Sequence, residues 1–135
     1  MNSQTGKKLI REAFHAGSWY SNNRAQLAEE LKVNLEKAET QLPSDKKLKA
    51  LIGPHAGFRF SGPNAAWAYK NVKPGDFDRV FILGPSHKIG FEFIVSTECG
   101  EWETPLGNLK VDNKTVEDIC QFTKTNPSYF GDIHY

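Results

Sequence analysis

The chain has 135 residues, 39% of them hydrophobic and 24% charged, with a formal net charge of +1. This length suits one domain with a moderate core, and the balanced charge argues against a dedicated nucleic-acid protein, which would show a basic excess. No apolar run could span a membrane and the N-terminus carries no secretory signal, so we expect a cytoplasmic protein with no membrane partner.

An aromatic loop is predicted near the N-terminus. Residues 1–8 are polar and aperiodic, which predicts a flexible tail. Residues 10–20 have neither helical nor strand periodicity and bring His15, Trp19 and Tyr20 together around small residues. Such a loop either packs over the edge of a core or lines a pocket, because amphipathic aromatic side chains suit both places.

A first helix is predicted from Asn23 onwards. Leu27, Leu31 and Leu35 recur every four residues among charged neighbours, which is the pattern of a surface helix with one buried face. Asn23 is a suitable N-cap, and Pro43 bars continuation.

Two later stretches share one pattern. Leu48–Gly53 and Val80–Leu83 each predict a β-strand, and each is followed by a Gly-Pro turn and then a histidine, His55 or His87. Between them a helix is predicted with Ser61 as its cap. Together they predict a βαβ unit with parallel strands and a right-handed crossover.

The remaining third predicts shorter elements. Residues 91–96 predict a strand, 101–107 a loop carrying a buried Trp102, and 108–112 a short strand. A last helix begins at Asp112 or Asn113. Its inward side chains are predicted to be Val116, Ile119, Cys120 and Phe122. Cys99 and Cys120 are far apart in sequence, which favours reduced thiols.

The two histidines are candidate metal ligands. Ligands of open α/β sheets bind beyond the carboxyl ends of the strands, where His55 and His87 are predicted to lie. Two converging imidazoles suit iron, copper or zinc alike. A third ligand is required and cannot be identified, so we expect weak or absent metal binding in this chain. The alternative is that each histidine is a structural hydrogen-bonding residue.

Four motifs follow one another along the chain. They are His-Ala-Gly-Ser-Trp-Tyr at 15–20, Gly-Pro-His-Ala-Gly at 53–57, Phe-Ile-Leu-Gly-Pro-Ser-His at 81–87 and Thr-Pro-Leu-Gly at 104–107. The same motifs in the same order are typical of the Memo family, named for mediator of receptor-driven cell motility. The chain therefore resembles the N-terminal half of a Memo-like α/β domain over residues 9–135. The resemblance implies a parallel or mixed sheet with flanking helices, similar to class III extradiol dioxygenases and truncated here.

The resemblance also implies site residues. His55 and His87 match the family's metal-site histidines. The expected pocket residues are His15, Trp19, Phe58, Arg59, Phe60 and Ser86. Phe58 and Phe60 stand where some relatives have tyrosines, so hydroxyl contacts from these positions are lost. The family's later half, which supplies further ligands including a cysteine, has no match in this chain, and neither Cys99 nor Cys120 lies in the corresponding motif.

Two classes of function follow from the resemblance. One is non-haem, metal-dependent redox chemistry of an oxidoreductase or dioxygenase-like type, linked to cell-motility signalling. The other is a non-catalytic module that binds a peptide, including a phosphotyrosine peptide, for which Arg59 and Lys88 form only a thin basic cluster. An inactive truncated form is the third alternative. If the chain lacks half of its domain, exposed strand edges should make it self-associate or require its missing half.

Overall fold

The computed structural model describes residues 9–88, 90, 94–125 and 133–134. These residues form an α/β chain with three helices and five short strands. The chain divides into two compact units. We call Ala13–Phe81 the helical unit, and Met1–Glu12 together with Ile82–Tyr135 the sheet unit. No helix within the described ranges is long and apolar enough to cross a membrane.

Helix α1 comprises Arg24–Lys37 and begins as predicted. The side chain of Asn23 accepts a hydrogen bond of 3.0 Å from the backbone N–H of Gln26, which satisfies one of the amide groups that a helix leaves unpaired at its start. Of the leucine stripe, Leu27 is the most deeply buried, with 4% of its surface exposed. The predicted inward face of α1 is therefore confirmed.

Helix α2 comprises Phe58–Tyr69, so its predicted start at Ser61 is wrong. Gly57 is the N-cap residue, and Ser61 lies inside the helix, where its hydroxyl donates a hydrogen bond of 2.8 Å to the carbonyl of Ala56. Pro63 is also inside the helix rather than in its first turn. A serine followed by proline is a common helix start, but here the hydroxyl satisfies a carbonyl of the preceding loop instead.

The two helices pack through the small residues of α2. Gly62 and Ala66 are buried on the α2 face. A β-carbon at Gly62 would lie 3.0 Å from the side-chain nitrogen of Asn34 on α1, so a larger residue there would require the Asn34 side chain to shift. The ammonium of Lys70, at the end of α2, donates to the carbonyl of Leu35 in the last turn of α1 at 2.8 Å.

The two strands predicted to precede His55 and His87 are absent from the described residues. Residues 48–53 and 80–83 are in no strand, and the predicted βαβ unit with its parallel pair is therefore wrong for these residues. Ile52 is 96% exposed, and the four side chains of 80–83 are 66–92% exposed. A strand is held by hydrogen bonds to a neighbouring strand, and the described part of the chain pairs neither stretch in a ladder.

The sheet unit contains the mixed three-stranded sheet. Strands β1 (Ile10–Arg11), β3 (Glu101–Trp102) and β4 (Leu109–Lys110) lie in the order β1-β3-β4, the first pair parallel and the second antiparallel. The predicted loop at 101–107 is thus partly a strand. Trp102 is half-buried, and the guanidinium of Arg11 lies 4.5 Å from its ring centre. A second, parallel pair joins β2 (Ile94–Val95) and β5 (Ile133–His134).

Helix α3 comprises Asn113–Thr125 and confirms the last predicted helix. Asp112 caps it by accepting hydrogen bonds from the backbone and hydroxyl of Thr115. Cys120 and Thr123 are buried, whereas Phe122 is half exposed, so its predicted inward orientation is wrong. Positions 116, 120 and 123 share one helical face, and position 122 lies off it.

Two predictions fall outside the described residues. They are the flexible tail at residues 1–8 and the first part of the strand predicted at 91–96.

Candidate functional site

The aromatic loop of the helical unit is a compact turn. The carbonyl of His15 accepts hydrogen bonds from the backbone amides of Ser18, at 3.1 Å, and Trp19, at 2.9 Å. The amide of Gly17 donates to the carbonyl of Tyr20 at 2.7 Å, with Gly17 at a φ of +85°. Because side chains other than glycine rarely adopt that conformation, Gly17 allows the chain to fold back and present Trp19.

Three rings meet around Trp19, and we call His15, Trp19 and His55 the ring cluster. The centroids of His15 and Trp19 lie 4.5 Å apart, with their planes tilted by 34°. The centroids of Trp19 and His55 lie 6.3 Å apart, in an edge-to-face arrangement. Trp19 is 41% exposed, and both histidines are exposed. The cluster is therefore an accessible aromatic surface, in which the indole of Trp19 has the imidazoles of His15 and His55 as neighbours.

The aromatic loop is fixed to the start of α2. The backbone N–H of Phe58 donates to the carbonyl of Trp19 at 2.8 Å, and the ring of Phe58 lies 5.6 Å from that of Tyr20. A β-carbon at Gly57 would lie 3.3 Å from the same Trp19 carbonyl oxygen. The loop and the helix are thus in direct backbone contact, which sets the position of the ring cluster relative to α2.

The N-terminus of α2 favours negative charge. Its N-cap residue, Gly57, provides no side-chain hydrogen bond, and the first turn contains no acidic residue. Arg59 lies exposed in that turn, with its guanidinium 5.7 Å from the ring centre of Phe60. The helix dipole and the guanidinium both add positive potential at the start of α2, where the backbone contacts Trp19.

The structure brings some of the sequence-predicted site residues together. His15, Trp19, His55, Phe58, Arg59 and Phe60 all belong to the helical unit, and the first four are linked by the contacts above. Ser86 and His87 are exposed residues of the sheet unit. The convergence of His55 and His87 on one ion therefore stays a prediction.

The described residues do not by themselves fit a complete metal centre. Within the described ranges, no group of three or more His, Cys, Asp and Glu side chains is placed to hold a metal ion. Metal centres in proteins normally take at least three protein ligands. Cys99 is half-buried and Cys120 is buried, both as free thiols.

Sequence reasoning missed the contact between the aromatic loop and α2. The strand predicted before His55 suggested a site at the end of a sheet, whereas His55 lies beside Trp19 ahead of a helix. The sequence offered only a weak signal in Gly57, because glycine occurs at helix N-caps but is common in turns as well.

Comparisons with known proteins give one consistent result. The sequence model of the family described as Memo-like protein matches residues 11–130. The chain is 42% identical over 109 residues to "Protein memo-1 homolog" of Caenorhabditis elegans, covering 81% of this chain and 30% of that protein. It is 41% identical over 115 residues to "Protein MEMO1" of Xenopus tropicalis, covering 85% of this chain and 38% of that protein.

A yeast relative is similar to the same degree. "MEMO1 family protein MHO1" of Saccharomyces cerevisiae is 44% identical over 119 residues, covering 83% of this chain and 33% of that protein. The chain thus spans about a third of the length of these curated relatives.

Proposed function

The chain belongs to the Memo family of Memo-like proteins, and from that premise we propose that it binds a peptide through the ring cluster, with phosphotyrosine as the favoured side chain. One observation carries the proposal. Trp19, whose exposed indole is flanked by the rings of His15 and His55, contacts through its backbone carbonyl the N-terminus of α2, which no side chain caps. An aromatic surface and a positive helix end are therefore adjacent.

The chemistry of phosphotyrosine matches both parts. Its ring can stack on the indole of Trp19, and aromatic pairs contribute about 0.5–1.5 kcal/mol beyond burial of area. Its phosphate carries nearly two negative charges, which the positive end of the α2 dipole and the guanidinium of Arg59 favour. A peptide-binding role also agrees with the cell-motility signalling that the family resemblance implies.

Binding should depend on the phosphate and on Arg59. We expect a fluorescein-labelled Gly-Ser-Ala-pTyr-Ala-Ser-Gly peptide to bind at least about tenfold more tightly than its unphosphorylated form, because charge-assisted hydrogen bonds contribute about 1.5–3 kcal/mol. Arg59→Gln should remove most of this difference, and Trp19→Ala should weaken binding of both peptides. Fluorescence anisotropy measures each affinity.

Two residues of the helical unit offer matched controls. Trp67 is 43% exposed, close to the value for Trp19, and Arg24 is an exposed arginine at the start of α1. Trp67→Ala and Arg24→Gln should leave binding unchanged. Equal affinity for the two peptides, or an equal loss in the control variants, would refute the proposal.

A metal-dependent redox function is the second candidate. It is favoured by the exposed imidazole of His55. This ring and a second imidazole, that of His15, are both neighbours of the Trp19 indole. The family resemblance makes His55 and His87 the two ligands, with iron, copper or zinc as the ion. Because the described residues supply no third ligand group, we derive no reaction through a metal.

Metal binding to this chain should be weak. Two neutral imidazoles provide no negative charge to offset a dication, so titration calorimetry with Zn²⁺ should show no stoichiometric site tighter than about 1 μM, equivalent to about 8 kcal/mol. A tighter site that is lost in both His55→Ala and His87→Ala would show that the chain completes a metal centre. The same site retained in His55→Ala would exclude His55 as a ligand.

A further inference from the structure

An open groove runs between α1 and α2 on the helical unit. Its volume is about 460 Å³. Val33 of α1 and Phe58 and Pro63 of α2 give it an apolar floor, while Glu29 and Glu30 lie on the α1 side. Val33 and Phe58 are half-buried, so a ligand in the groove would cover apolar surface that is already partly enclosed.

The groove results from how the helices meet. At Gly62, α2 lies close to the side chain of Asn34 on α1. The ring of Phe58, one turn before Gly62, and the ring of Pro63, one residue after it, line the adjoining space. The groove is therefore part of the helix packing itself rather than of a loop.

The charge along the groove is asymmetric. Glu29 and Glu30 are neighbours on α1, and Glu29 is 4.0 Å from the ammonium of Lys32, an exposed and weak pair. Arg59 is the cation on the α2 side. The α1 side therefore presents negative charge beside an apolar floor, which complements a ligand that combines an apolar side chain with a cation.

We propose that this groove binds a peptide segment of a partner protein that presents an apolar side chain next to a lysine or arginine. The apolar side chain lies over Val33, Phe58 and Pro63, and the cation faces Glu29 and Glu30. The inference rests on the proposed peptide-binding function. Because the backbone of Phe58 is bonded to Trp19 and its side chain lines the groove, residues flanking a peptide side chain held by the ring cluster can enter the groove directly.

Selection from a random, unphosphorylated dodecapeptide display library tests the groove without phosphotyrosine. The wild-type chain should enrich peptides that contain Leu, Ile, Met or Phe beside Lys or Arg. The double variant Glu29→Lys/Glu30→Lys should bind the selected peptides at least about tenfold more weakly, because like charges across an interface repel. It should also select acidic peptides in their place, a change that simple misfolding would not produce.

The double variant Glu36→Lys/Glu39→Lys is the matched control. It makes the same change in charge at two exposed positions near the end of α1 that do not line the groove. This control variant should select the same peptides as the wild-type chain. Recovery of the same peptides by the Glu29/Glu30 variant, or enrichment without basic residues, would overturn the inference. So would sedimentation showing a wild-type dimer that the Glu29/Glu30 variant dissociates, because a second copy would then occupy the groove.

The ring cluster can fail independently of the groove. Trp19→Ala should retain the library peptides, since these contain no phosphotyrosine and Trp19 does not line the groove. If Trp19→Ala still binds the library peptides and the Glu29/Glu30 variant does not, the groove proposal is supported even if phosphotyrosine does not bind. Loss in Trp19→Ala and retention in the Glu29/Glu30 variant would place the binding at the ring cluster and exclude the groove.

Discussion

Leu27→Ala should lower the free energy of unfolding by about 2–5 kcal/mol, the range measured when a buried leucine is truncated to alanine. Leu27 is 4% exposed and anchors α1 in the helical unit. The substitution removes buried apolar area and leaves a cavity that the surrounding residues fill only in part. Urea unfolding followed by circular dichroism at a helical wavelength measures the change.

Leu83→Ala is the matched control for this truncation. Leu83 is 92% exposed, so the same chemical change should alter stability by no more than about 0.5 kcal/mol. Leu27→Met keeps the volume and should cost less than about 1.5 kcal/mol, which gives a measurable variant if Leu27→Ala does not fold. Equal losses at Leu27 and Leu83 would contradict the assignment of Leu27 to the core and of Leu83 to the surface.

Gly57→Val should both destabilise the chain and disrupt the ring cluster. The backbone at Gly57 has φ −59° and ψ 145°, which valine can adopt, so the cost comes from contact rather than from conformation. Its β-carbon would lie 3.3 Å from the carbonyl oxygen of Trp19, and the two methyl groups need more space. We expect a loss of about 1–3 kcal/mol, as for other overpacked sites.

Gly57→Val should also weaken binding of the phosphotyrosine peptide at least about tenfold, because it separates Trp19 from the start of α2. Anisotropy with the labelled peptide measures this loss. Gly84→Val is the control, since a β-carbon at Gly84 has open space around it. A Gly57→Val chain with wild-type stability and affinity would show that the contact with the Trp19 carbonyl has no role in placing the ring cluster.

Local patterns in the sequence were sufficient to predict two of the helices. The leucine stripe beginning at Leu27 and the cap at Asn23 predicted α1, and an acidic or amide cap at 112–113 predicted α3. Both signals act within one or two turns, so they do not depend on the rest of the fold. The ordered motifs likewise predicted the family, because residue identity and order are properties of the sequence itself.

The start of α2 was mispredicted because two local signals compete. Ser61 followed by Pro63 resembles a helix start, but the chain becomes helical already at Phe58. The amide of Phe58 is bonded to the Trp19 carbonyl, a partner almost forty positions away in the chain. Only the tertiary contact shows that Gly57 is the cap, and with it that the positive end of α2 lies at the ring cluster.

Strand formation and the candidate site also depended on distant partners. Residues 48–53 and 80–83 have apolar side chains suited to strands, but a strand forms only when another strand supplies its hydrogen bonds. The family resemblance implied that His15 and Trp19 are pocket residues and that His55 is a metal ligand, without showing which of them touch. Tertiary structure determined that these three rings meet at the start of a helix and that Glu29 and Glu30 border a groove, because both features arise from contacts between segments that local periodicity does not encode.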